Sequence, residues 1–175
     1  MDELKLNTAE LAERAAVLRA GQRVLLSGTV YTSRDAAHKR ITELLHRGEP
    51  LPYDLRGAAI YYAGPTPAPE GLPIGSCGPT TSGRMDPYTP RLLDLGLKAM
   101  IGKGNRSEKV VEAMKRNGAV YLCAIGGAGA LAAQCIAKAE VIAFEDLGCE
   151  SVKRLELRDF PLLVAIDSTG ASILR

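Results

Sequence analysis

The sequence predicts an α/β fold on a mainly parallel central sheet, and three observations carry that expectation. Short apolar runs of strand length alternate along most of the chain with amphipathic stretches of helical period. Helix-start and helix-stop residues punctuate the alternation, which calls for crossover connections between parallel strands. The segment 61–73 and the tail 152–170 break the pattern and predict a second, smaller layer of strands. With 175 residues and neither an internal repeat nor a low-complexity linker, the chain is expected to form a single domain, 1–175.

The elements follow in order. "NTAELAERAAVLRAG" reads as a helix, with Leu11, Ala15 and Leu18 on one face, Asn7 or Thr8 as cap and Gly21 as stop. "RVLLSG" is a short buried strand. "SRDAAHKRITELLHRG" is a second helix, capped by Ser33 and stopped by Gly48, with Ala37, Ile41 and Leu44 on one face. The strand "GAAIYYAG" runs straight into the Pro-rich "PTPAPEG". After the loop "IGSCGPTTSGRMDPYTP" come a short helix over 90–95, the strand "LKAMIG" and the helix "SEKVVEAMKRNG", capped by Ser107. Then follow the strand "AVYLCAIGG", the brief helix "AGALAAQCIA" and the strand "AEVIAFED". The tail alternates or runs apolar like a strand pair.

Composition narrows the function. A net charge of +2 and 5% aromatic residues argue against nucleic acid, which needs a basic surface or stacking platforms. No apolar run reaches the roughly 18 residues of a membrane span. The acidic, amphipathic first residues predict no export signal. Cys77, Cys123, Cys135 and Cys149 contain no C-x-x-C pair, so free thiols in the cytoplasm are expected. Cys123 and Cys135 sit in apolar segments and read as small buried hydrophobes; Cys77 lies in a polar loop and stays open.

Ligands of an open parallel sheet bind beyond the carboxyl ends of its strands. Three polar segments leave strands at that edge: Arg34 with Ser33, Arg84 with Thr80 and Thr81, and Lys103 and Arg106 with Asn105 and Ser107. Helix N-termini attract anions, and arginine grips a carboxylate through parallel hydrogen bonds. Converging, they would hold a small molecule with more than one negative charge; singly, each arginine could be a solvated surface charge. A rival motif is G-x-G-x-x-A at Gly127, Gly129 and Ala132, with Glu145 further on, which approaches a dinucleotide-binding fingerprint and would make the chain a nucleotide-binding oxidoreductase. Its helix is short for that unit, and tight helix packing is the other reading of those glycines.

"RDAAHKR", "YYAGPTP", "GPTTSGRMD" and "GKGNRS" together resemble the C-terminal domain, or separate β subunit, of the iron–sulfur hydro-lyases, a family that includes class I fumarase and L-tartrate dehydratase. The resemblance runs from about Gly28 to Asp167 and gives the chain the look of a whole β subunit. It implies a swivelling β/β/α domain. It also implies hydration or dehydration of a four-carbon dicarboxylate, fumarate or malate first and tartrate second, at a 4Fe–4S cluster whose open iron is a Lewis acid. The cluster's cysteines belong to a partner α subunit, so no metal site is expected here. By the same resemblance Arg34, Arg84 and Lys103 grip substrate carboxylates and Thr80 sits beside the carbon that gains or loses a proton. A hydroxyl is a weak base, so Thr80 needs an aspartate from the partner. Thr81 is its neighbour at the substrate. His38 either orients Asp35 or serves the helix.

Overall fold

The computed structural model describes residues 3–124 and 129–175. Its strands are β1 (Leu4–Asn7), β2 (Arg23–Thr32), β3 (Ala59–Tyr61), β4 (Ala99–Gly102), β5 (Val120–Ala124), β6 (Ile136–Ala143) and β7 (Val152–Ile166). The helices are α1 (Leu11–Arg14), α2 (Asp35–His46), α3 (Thr89–Asp94), α4 (Glu108–Asn117) and α5 (Gly129–Gln134).

β1 to β5 run parallel in sequence order, as expected. The sheet as a whole does not. β7 is antiparallel to β2 over Arg23–Leu26 and Gly28–Tyr31, and antiparallel also to β5 and β6. Since β2 fills one edge of β7, β5 and β6 must lie end to end along the other. The ring β2–β3–β4–β5–β7 therefore closes on itself, and the expected mainly parallel sheet with a separate strand layer is instead one mixed, closed sheet. The tail is likewise one long strand, not a pair. The chain stays in one strand at Asp159, which takes a positive φ of 45° and whose N–H donates to Ser27 Oγ at 2.9 Å. A bulge against β2 absorbs the extra residue.

The closed ring explains why the strands are apolar on both faces. Ala59, Tyr61, Ile101 and Leu122 point to a core inside the ring, while Ile60, Tyr62, Met100 and Tyr121 alternate outward beneath α2, α3 and α4. The N-terminal expectation changes. Strand β1 precedes Asn7, which caps a 3-10 turn: its N–H donates to Glu10 Oε2 at 2.8 Å, and Ala9 N–H donates to its Oδ1 at 3.0 Å. α1 and a second 3-10 turn (Ala15–Val17) follow instead of one long helix, yet Leu11, Ala15 and Leu18 are buried as their spacing requires. Ser107 caps α4 through Val110 N–H, as expected. Ser33 does not cap α2; Arg34 occupies that position, and the Ser33 hydroxyl meets His38.

Candidate active site

The loop after β3 is built to lie across the ends of β3 and β4. Thr80 N–H donates to the Tyr62 carbonyl at 2.8 Å, Thr81 pairs with Lys103 as a short parallel bridge, and Ser82 N–H donates to the Lys103 carbonyl at 2.9 Å. The approach is so close that a Cβ on Gly102 would stand 1.9 Å from Ser82 Oγ. Only glycine fits there. Tyr121, one strand over, donates its phenol proton to the Gly104 carbonyl at 2.9 Å and receives one from the Ser82 hydroxyl at 2.8 Å.

Arg106, expected among the cations at this edge, is instead interior: its side chain is 0% exposed. Its Nε–H donates to Asp86 Oδ1 at 2.8 Å, and Nη2 reaches Thr89 Oγ1 at 3.0 Å and Tyr62 OH at 3.2 Å. Burial pulls its pKa down, but Tyr62 and Asp86 outweigh that and leave it above its ordinary value. The other Asp86 oxygen accepts Ser107 N–H at 2.6 Å, so one carboxylate ties "GRMD" to the start of α4. Sequence reading missed this pair because its members are 20 residues apart.

The start of α2 brings the third segment in. Ser33 N–H donates to the Tyr61 carbonyl at 3.1 Å, which sets the chain beside the end of β3. Arg34 then lies across Gly64, where a Cβ would come within 2.9 Å of its Nη1. Its Nε is 3.9 Å from Glu150 Oε1, too long for a hydrogen bond. Arg84 Nε–H donates to Asp35 Oδ1 at 3.0 Å. Its Nη2 is 2.9 Å from Oδ2 but out of line, so that oxygen, shielded from water, accepts no hydrogen bond. Thr80 is half-buried, whereas Thr81, Arg84 and Lys103 are exposed. The five residues named from the sequence, Arg34, Thr80, Thr81, Arg84 and Lys103, are thus drawn to the carboxyl ends of β2, β3 and β4. With Thr81, Arg84 and Lys103 exposed, that edge is an open shelf.

His38 is buried and neutral, its pKa lowered to about 4, chiefly by loss of hydration. The carbonyl of Arg34 can only accept, so Nδ1 carries the proton and donates to it at 2.9 Å, beside Ser33 Oγ. His38 therefore fixes the backbone of Arg34 rather than Asp35. Cys77 is buried, and burial pushes its thiol up to about 12. Burial also raises Cys123 and Cys135; Cys149 is exposed. Among the described residues no three His, Cys, Asp or Glu side chains gather as a metal site, so this donor set does not fit an iron–sulfur cluster. Nor is there a helix among them long and apolar enough to cross a membrane.

Of the glycine motif, Gly127 lies outside the described residues. Gly129 and Ala132 belong to the six-residue α5, an excursion between the collinear β5 and β6. A dinucleotide unit needs the following strand as a parallel neighbour, and β6 pairs with β7 instead.

The family described as "Fumarase C-terminus" matches residues 1–175. The chain belongs to that family. Among the relatives of this fumarase C-terminus chain is "Fumarate hydratase 2" of Leishmania major, 41% identical over 170 residues, covering 96% of this chain and 30% of that protein. "Fumarate hydratase class I, aerobic" of Salmonella typhimurium is 39% identical over 170 residues, 96% of this chain and 29% of that protein. "Putative L(+)-tartrate dehydratase subunit beta" of Methanocaldococcus jannaschii is 40% identical over 162 residues, 89% of this chain and 83% of that protein. The chain thus spans under a third of the length of the fumarate hydratases it matches.

Proposed function

We propose that this chain is the carboxylate-gripping half of a hydro-lyase active site, acting on a four-carbon dicarboxylate: fumarate or malate first, tartrate second. Arg34, Arg84 and Lys103 hold the two carboxylates. Thr80, its backbone pinned to the end of β3, presents its hydroxyl to the carbon that gains or loses a proton, with Thr81 alongside. The 4Fe–4S cluster and the carboxylate that assists Thr80 come from a partner α chain or segment, since the cysteines here are dispersed, one of them buried, two half-buried and one exposed. The observation that carries this reading is the stitching of the 78–86 loop to β3, β4 and α2. It gathers three cations and a threonine from distant stretches of sequence onto one open shelf. The names of the relatives supply the reaction class and both candidate substrates.

The test is co-expression with a cluster-bearing partner, anaerobic reconstitution, and assays on fumarate, malate and tartrate. Turnover of at least one is expected, falling by about 3 kcal/mol in kcat/KM for Arg84→Ala, which leaves a substrate carboxylate unpaired. Arg84→Lys recovers only part, because an ammonium cannot form the fork. Wild-type efficiency of Arg84→Ala on every substrate would return Arg84 to the status of a surface charge.

A further inference from the structure

The two arginines of the proposed grip are not held alike. Arg34 is laid against Gly64 with its side chain 24% exposed, while Arg84 projects from a 3-10 turn with 52% of its side chain exposed. A half-exposed arginine free to swing loses rotamer freedom each time it takes a ligand. We infer that Asp35 is a positioning residue that holds Arg84 ready for the carboxylate, an inference that rests on the reading of Arg84 given above.

The geometry divides the guanidinium. Its five N–H groups lie in one plane, in a side-on edge (Nε and one Nη2 hydrogen) and an end-on edge (Nη1 and the other Nη2 hydrogen). Asp35 occupies the side-on edge with one in-line hydrogen bond, from Nε at 3.0 Å, and a charge contact of 2.9 Å between Nη2 and Oδ2 that is out of line. Among the described residues Nη1 makes no hydrogen bond, so the end-on edge is left for a ligand while Asp35 tethers the other side of the group. Asp35 is itself well anchored. It is the first residue of α2, where the helix terminus favours a carboxylate. The step into it is locked by Ser33 N–H on Tyr61 and by His38 on Arg34. One dipeptide, Arg34–Asp35, thus supplies a cation directly and aims a second from another loop.

A double-mutant cycle in the reconstituted two-chain enzyme tests this, with KM and kcat measured on fumarate and tartrate for Asp35→Asn, Arg84→Ala and the pair. Asp35→Asn preserves size and helix start but loses the charge that holds the guanidinium. A roughly tenfold rise in KM is expected, with kcat changed by no more than about twofold, and no further loss in the Arg84→Ala background. A purely structural role would lower the active fraction, and with it kcat, equally in both backgrounds. Asp35→Glu, which keeps the carboxylate, should recover part of the KM, and it runs the same cycle if the asparagine variant does not fold. Equal losses in both backgrounds, an unchanged KM or a lower KM for Asp35→Asn would overturn the inference alone. An unchanged KM for Arg84→Ala would overturn the carboxylate-binding reading and this inference with it.

Discussion

Threonine and valine have nearly the same shape, so Thr80 and Thr81 can each lose a hydroxyl without losing their volume. Thr80 is half-buried with its N–H on Tyr62, while Thr81 is exposed beside Lys103. Thr80→Val in the reconstituted enzyme should lower kcat by roughly a hundredfold, the usual worth of a positioned proton-transfer group, with KM changed much less. Thr81→Val should give a smaller loss spread over both constants. The reverse pattern would place the chemistry one residue along. His38 offers a test that needs no substrate. Its pKa of about 4 in the fold, against roughly 6.5 unfolded, means that the unfolded chain binds the extra proton between those values. Its contribution is complete above about pH 6.5 and is lost as pH falls toward 4, by up to about 3 kcal/mol. Burial is the main cause, with Arg106 acting the same way and the Arg34 carbonyl and Asp35 opposing. Urea unfolding at pH 7 and pH 5 should show wild type losing more stability than His38→Gln. Identical losses would mean that His38 is not held neutral.

At the scale of elements, the two loops of the proposed site stand or fall with Asp86 and Arg106. Removing one partner strands a charge in the interior, which costs about 3–5 kcal/mol, whereas an exposed ion pair is worth under about 1 kcal/mol. Arg106→Ala should therefore lower Tm by about 10 °C, while Arg56→Ala, which breaks an exposed pair with Asp54, should barely move it. A small shift for Arg106→Ala would mean that water reaches Asp86. The contrast shows what is legible in a sequence. Arg106 and Arg56 are the same letter, and only the long-range fold makes one interior and the other solvated. Local signals fared better where they were complete. α4 has its cap at Ser107, its stop at Gly118 and a clean apolar face, and it forms as read. The first helix had a face and a stop, but the capping box at Asn7 starts only a short run, and β1 lay hidden ahead of it. The strand signal of "LKLN" is four residues long and gains its meaning from β2 beside it.

At the scale of the molecule, β7 converts a row of parallel strands into a ring, and no local pattern announces a closure. Apolar strands with helices between them predict parallel neighbours, which β1 to β5 are, but the partner of a tail strand depends on the whole sheet. The placement of these residues at the carboxyl ends holds because it concerns β2, β3 and β4, whose direction the closure does not change. That is why the gathering of Arg34, Thr80, Arg84 and Lys103 was readable while the ring was not. The ring also bears on what the chain can do by itself. Its interior is packed with side chains such as Tyr61, Leu122 and Val164, so the proposed site is confined to the outer shelf, open on one side. Three cations on an open shelf bind a dicarboxylate weakly, because water screens them, and the described residues offer no ligand set for the cluster. The purified chain, after anaerobic treatment with iron and sulfide, should stay colourless and leave fumarate, malate and tartrate unchanged. Adding the cluster-bearing partner should bring both the absorbance of an iron–sulfur centre and turnover, the latter sensitive to Arg84→Ala in this chain. Spectra and assays of the chain alone, the partner alone and the mixture separate the cases. Iron-dependent turnover by this chain without its partner would overturn the division of the site between two chains.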